Sequence, residues 1–241
     1  MAYKTNPISL RLGKTKNWPS VWYSKNHFSK FLSEDLLVQK YFDDIFQNLD
    51  ILIQEFQIIR SLTKITIKIS ICTAFASEKK LELFNEKKLF QRSLLHIYKL
   101  LNTRYQKVHL LLQEDKNNFL TTALTLSKHL ARDIELNQHE PLSLILDNFT
   151  NDLLFYMSET NEELKKVEFL KALEKKAFTK IIKGLKIKIS GCINGVRIAS
   201  HESLIFGSLP LQTFQANIDY SKSTAFTING TYGIKVWIYF A

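Results

Sequence analysis

Glycine divides this chain sharply. Six of the seven glycines fall between Lys183 and Phe240, and none lies between Gly13 and Gly184. Glycine accepts positive φ and close backbone approach without steric penalty, so tight turns are concentrated in the C-terminal stretch. There the hydrophobic pattern has a period of two. Leu185, Ile187 and Ile189 alternate with Lys186, Lys188 and Ser190, and Ile234, Val236 and Ile238 alternate with Lys235, Trp237 and Tyr239. This is the pattern of strands with one face on a core and the other in solvent. The solvent faces offer two lysines from the first strand, and one cation and two rings from the last. Asn229-Gly230 predicts a tight hairpin beginning near Thr224, and Gly207 marks a further turn before Leu209-Pro210-Leu211 and Ile218-Asp219-Tyr220.

A net charge of +10 favours a polyanionic partner, and the charges are segregated. Residues 1 to 30 hold Lys4, Arg11, Lys14, Lys16, Lys25 and Lys30 with no acid, whereas Ser33 to Asp50 hold Glu34, Asp35, Asp43, Asp44 and Asp50 against Lys40 alone. Pro7, Gly13 and Pro19 keep the first segment from forming a long helix, so residues 1–32 read as an extended basic arm. Trp18, Trp22, Tyr23 and Phe28 are interleaved with its cations. The cations suit phosphates; the rings either stack on unpaired bases or anchor the arm on the core.

Ser33 is placed to cap a helix running to about Asn48, with Glu34 and Asp35 in its positive first turn. Strands follow at Ile51 to Ile59 and Ile65 to Cys72, then a helical stretch from Leu83 to Leu101 and a strand from Val108 to Leu112. Phe119 to Ile134 is helical by its stripe of Ala123, Leu126, Leu130 and Ile134. A separate amphipathic stretch surrounds Leu142, Ile145, Phe149 and Leu153, and a lysine-rich helix is expected from Glu168 to Lys183.

Catalysis is not indicated. The six histidines form no zinc-like pair with Cys72 or Cys192, and no phosphate loop, nucleophile elbow or dinucleotide fingerprint occurs. Both cysteines fall in expected strands and read as ordinary reduced residues. No apolar run is long enough to span a bilayer. The residues therefore call for no metal, cofactor, small-molecule substrate or membrane.

Gly184-Leu-Lys-Ile-Lys-Ile-Ser-Gly191, Gly195-Val-Arg-Ile-Ala199, Pro210-Leu211, Ile218-Asp219-Tyr220 and Gly233-Ile-Lys-Val-Trp-Ile238 occur in the order and near the spacing found in small-subunit ribosomal protein S-three. Asn6-Pro7-Ile8, Arg11-Leu12-Gly13 and Trp22-Tyr23 match that family's amino terminus. The chain resembles this family, as a divergent organellar member. The resemblance implies an α+β fold: the basic arm, a degenerate type-two KH-like domain at 33–115, and at 116–241 a C-terminal α/β two-layer domain with a mixed sheet, carrying an insertion at 135–167. The KH-like domain is read as degenerate because Phe75 to Leu81 lacks the Gly-x-x-Gly that clamps nucleotides. The resemblance also implies a structural constituent of the small ribosomal subunit, binding rRNA in the head and helping to form the mRNA entry channel. Expected neighbours are ribosomal proteins S-two, S-ten and S-fourteen.

Candidate RNA contacts are Lys4, Asn6, Arg11, Lys14, Lys16, Trp22, Lys25, Lys183, Lys186, Lys188, Arg197 and Lys235. Candidate mRNA-entry contacts are Lys171 and Lys175. The chain departs from the family at Leu170, Cys192, Ser200 and Gln215, where arginines are usual. A family motif beginning within a few residues of Met1, with abundant Ile, Leu, Phe, Lys and Asn, gives the expectation of a mitochondrial ribosome in the matrix and an organelle-encoded chain. A plastid or a bacterial cytoplasm is the alternative. Two other functions stay open from the residues: a KH-like RNA-binding regulator outside the ribosome, and a protein-interaction scaffold.

Overall fold

A computed structural model describes residues 4–48, 51–61, 63–72, 95, 98–99, 107–115, 122–151 and 182–240. The chain forms two compact units, one of Met1–Thr5 with Ser9–Thr125 and one of Asn6–Ile8 with Leu126–Ala241. The short helix α1 (Pro7–Arg11) begins in the second and ends in the first.

The first unit is built on a mixed sheet of β1 (Ser20–Val21), β2 (Leu52–Arg60), β3 (Lys64–Cys72) and β4 (Lys107–Asp115), in that order. β2 and β3 are antiparallel; β1 runs parallel to β2, and β4 parallel to β3. The alternation read from the sequence holds: Ile65, Ile67, Ile69 and Ile71 are buried, while Lys68 is exposed. Helix α2 (Phe28–Asn48) covers this face with Phe42 and Phe46, one turn apart and both buried against the isoleucines. A parallel β3–β4 pair requires a crossover connection. The helical stretch expected at 83–101 and the loop at 75–81 lie largely outside the described residues.

Two features of this unit differ from the sequence reading. The arm is not a free extension, because Ser20 and Val21 add a parallel edge to β2. Helix α2 also starts at Phe28, before Ser33. The amide of Phe31 already donates to the His27 carbonyl (3.0 Å), that of His27 to Ser24 Oγ (3.0 Å), and Ser33 Oγ donates back to the Lys30 carbonyl (2.9 Å) inside the helix. The acids taken as a first-turn signal instead serve a buried cation on β2. Arg60 Nε donates to Asp35 Oδ1 (2.8 Å) and Nη1 to Glu34 Oε2 (2.9 Å), with a further Nη2 contact to Asp35. The guanidinium also lies 5.1 Å from the centre of the Phe31 ring.

In the second unit β5 (Ile182–Gly191), β6 (Ser200–Gly207), β7 (Asn217–Thr227) and β8 (Gly230–Phe240) form a sheet in the order β6-β5-β8-β7. Helices α3 (Ala123–Leu136) and α4 (142–151) belong with it. The sheet is antiparallel at every pairing, not mixed as expected. Its strands join as two hairpins, and no crossover helix lies between them to make a parallel neighbour. The strand expected around Cys192 ends at Gly191, and Ile193–Gly195 form a single 3-10 turn. At the β7–β8 turn only Gly230 takes positive φ (127°), so Asn229 does not share the left-handed conformation.

Leu185, Ile187, Ile189, Ile234, Val236 and Ile238 are buried on one face, as are Leu126, Leu130 and Ile134 on α3. Ser127 Oγ donates to Ser221 Oγ (2.8 Å), and Ser223 Oγ donates to the Ser127 carbonyl (2.7 Å). α3 therefore packs on the β7 side of this inner face. α4, inside the stretch read as an insertion, buries Leu142, Ile145 and Phe149 on the expected stripe. Its Leu142 amide donates to Oδ1 of Asn194 (3.0 Å), the single described non-glycine with positive φ (53°). Of the lysine-rich helix expected at 168–183, residues 168–181 lie outside the described set, and Ile182 and Lys183 belong to β5.

Candidate nucleic-acid interface

The pleat sends alternate residues of the second sheet to the face opposite α3, and the register aligns them in rows. Lys188 pairs with Lys235, which pairs in turn with Lys222. On the other side of Lys188 stands Ser203 of β6. In the neighbouring row Ile205, Lys186, Trp237 and Tyr220 follow one another. The Trp237 and Tyr220 rings lie 5.3 Å apart at 41°, and Lys186 Nζ sits 5.9 Å from the centre of the Trp237 ring. A third row carries His201, Ser190, Gly233 and Thr224.

No outward position of these four strands holds a carboxylate. Glu202 and Asp219 pair with Ile189 and Ile238 and so turn to the inner face. Four lysines thus share one face without an acid. Like charges placed directly opposite on paired strands are destabilising, and the row Lys188–Lys235–Lys222 contains two such pairs. The arrangement is chemically suited to a polyanion lying across the strands. Burial raises the Tyr220 phenol above its ordinary value, which keeps it neutral beside these cations.

One end of this face is closed. The connection from β6 to β7 runs over it at Gly184, where a Cβ would lie 2.0 Å from the Ser208 carbonyl oxygen. Gly207, at φ 65°, is equally tight: its Cβ would meet the Lys183 carbonyl oxygen at 2.2 Å. Gly184 and Gly207, the second read from the sequence as a turn, therefore make room for a chain crossing.

Of the sequence-derived candidates, the structure brings together Lys186, Lys188 and Lys235. Lys222, which they line up with, was not among them. Lys183 stands at a bulge at the β5 end, and Arg197 is exposed in the β5–β6 connection. In the first unit Lys4, Lys14 and Lys25 are exposed and Lys16 half-buried. Asn6 is exposed, with its Oδ1 engaged by the Ile8 amide (2.9 Å) at the start of α1. Lys171 and Lys175 lie outside the described residues.

Two candidates are corrected. Arg11 is fully buried, and burial lowers its pKa from the ordinary arginine value. Its side chain presents no surface to an incoming phosphate, while its carbonyl accepts the amides of Lys14, Thr15 and Lys16. Trp22 is half-buried and donates Nε1 to Asp35 Oδ2 (2.7 Å), with the rings of Phe28 and Phe31 at 5.3 and 5.6 Å. It anchors the arm on α2; the adjacent Tyr23, 90% exposed, is the free ring.

Among the described residues no group of three metal-ligating side chains occurs, and no helix is long and apolar enough to cross a membrane.

Residues 164–238 match the family model of the C-terminal domain of ribosomal protein S3. The chain is 31% identical to small ribosomal subunit protein uS3c of Euglena longa over 99% of both chains. It is 30% identical to uS3 of Kosmotoga olearia over 99% of this chain and 94% of that one. Against uS3 of Leptospira biflexa it is 29% identical, covering 99% and 90%. These likenesses define a structural protein of the small ribosomal subunit, from a ribosome of bacterial or organellar type. Within that class the chain belongs to the uS3 family.

Proposed function

We propose that this protein binds rRNA in the head of the small subunit and helps to form the mRNA entry channel. The observation that carries rRNA binding is the lysine row Lys188–Lys235–Lys222 on an outward sheet face without carboxylates. Such a face gains from phosphate contacts and counterion release, and by itself carries opposed like charges. The entry-channel role rests on family membership and on Lys171 and Lys175. The neighbours proposed on the same ground are ribosomal proteins S-two, S-ten and S-fourteen. Among the described residues, α2 followed by the antiparallel β2–β3 pair and a β4 parallel to β3 supports a KH-like first domain, and the Gly-free segment at 75–81 supports its being unable to clamp RNA.

The organelle proposed is the mitochondrion, supported by the abundance of Ile, Lys, Asn and Phe. Gradient sedimentation of organelle lysates tests both proposals. Wild type should travel with the mitochondrial small subunit and remain there in high salt, while Lys188→Glu/Lys222→Glu/Lys235→Glu should shift to lighter fractions. Unchanged sedimentation of the triple variant would remove the sheet face from rRNA binding. Recovery with plastid small subunits would move the protein to that organelle.

A further inference from the structure

We infer that the outward face of the second sheet takes an unpaired RNA segment, with its phosphates on the lysine row and its bases on the Trp237–Tyr220 pair. This deepens the rRNA reading above and rests on it.

The sheet has four antiparallel strands, is covered by helix on one face, and holds rings at the centre of the other. Sheets of this build read single-stranded RNA by stacking bases on their aromatic side chains. Two rows divide the work here. Neighbouring strands lie about 4.8 Å apart, so the line from Lys188 through Lys235 to Lys222 spans about 10 Å. The row Lys186–Trp237–Tyr220 lies two residues along the strands, about 7 Å away. A nucleotide laid across the rows places its phosphate on a lysine and its base over a ring.

Lys186 makes this site adjustable. Its ammonium lies 5.9 Å from the centre of the Trp237 ring, a contact that is weak where water has access. Turning Lys186 to a phosphate uncovers the ring for a base and neutralises the cation in one movement. A duplex keeps its bases paired and inside, so it gains from the lysines but not from the rings. The choice between unpaired and paired RNA therefore depends on Trp237 and Tyr220, while charge alone does not distinguish them.

The test uses the full chain with a labelled eight-nucleotide oligouridylate and a twelve-base-pair RNA duplex, measured by fluorescence anisotropy at fixed salt. Base–ring stacking is worth about 1–3 kcal/mol per base, or about tenfold for 1.4 kcal/mol. Tyr220→Leu and Trp237→Leu should each weaken oligouridylate binding about tenfold and leave duplex binding within about twofold. Lys188→Glu/Lys222→Glu/Lys235→Glu should weaken both ligands. Tyr220 lies on the edge strand β7, so its variant carries the test if the central Trp237→Leu fails to fold by circular dichroism. Equal losses for both ligands in the ring variants, or no loss, would overturn the single-strand proposal while leaving the rRNA reading intact. Retention of both affinities in the triple lysine variant would overturn both. Displacement of oligouridylate by polyglutamate, with no dependence on the rings, would assign the face to an acidic protein partner and overturn it equally.

Discussion

Gly184 has no room for a side chain. A methyl group there would lie 2.0 Å from the Ser208 carbonyl oxygen, so Gly184→Ala must displace the crossing chain. Overpacking of this kind costs about 1–3 kcal/mol, and the urea midpoint of the purified protein should fall accordingly. Gly13→Ala meets no neighbouring atom within 4 Å but sits at φ 79°, so its loss should be smaller and due to backbone strain alone. Tyr220 gives a pH signature. Its pKa is raised by burial from a model-compound value of 10.0, so from about pH 10 upward the unfolded chain releases its proton before the folded one. Stability then falls as pH rises through that window. Tyr220→Phe should flatten this alkaline decline in a thermal-melt series. At this scale the sequence was legible where a residue sat in a regular alternation, as at Lys186, Lys188 and Lys235. Lys222 was missed because β7 was recognised only at Ile218-Asp219-Tyr220. Beyond Tyr220 the inward positions are Ser221, Ser223 and Ala225, small residues that leave no apolar period to show which face Lys222 takes. Arg11 carried no such signal, since burial of a cation is set by three-dimensional surroundings.

Elements show why local rules gave way. The sequence signal for an α2 start at Ser33 is physically sound, with a capping hydroxyl followed by acids. Tertiary packing overrode it: the helix extends back to Phe28, and Glu34 and Asp35 are committed to Arg60. Asp35 joins three pieces of chain, accepting from Trp22 of the arm and from Arg60 of β2. Its replacement by Ala leaves Arg60 buried with its main partner gone, a change that costs about 3–5 kcal/mol. Trp22→Phe removes one hydrogen bond and should cost about 1 kcal/mol. The expected result is a large drop in thermal midpoint for Asp35→Ala and a small one for Trp22→Phe; similar drops would mean that the arm, not the ion cluster, is what matters. Strands β2, β3, β4, β5 and β8, by contrast, were legible to within a few residues because their alternate apolar residues face a continuous core; β1, β6 and most of β7 were not.

For the whole molecule, the mixture of helices and sheets was visible in the alternation of helical stripes and period-two runs, and the family in motifs at both ends. The sense of the second sheet was not visible, because alternation fixes which face is buried and leaves strand direction open. Charge at this scale predicts a salt response. Single-stranded RNA releases about 0.7 of a counterion per phosphate neutralised, so removing three lysine contacts should lower the slope of log affinity against log salt by about 2. An unchanged slope would show that those lysines do not meet phosphates. The strand order β6-β5-β8-β7 has one further consequence. β8 is the last strand of the sheet to leave the translating ribosome, yet it is an inner strand that joins the β5–β6 hairpin to β7. Until it emerges, β5 has a bare edge and the two halves of the sheet have nothing between them. Closure of the sheet is therefore a single late step, and a chain interrupted before Gly230 would be left with an open, isoleucine-rich edge of the sort that aggregates or is degraded.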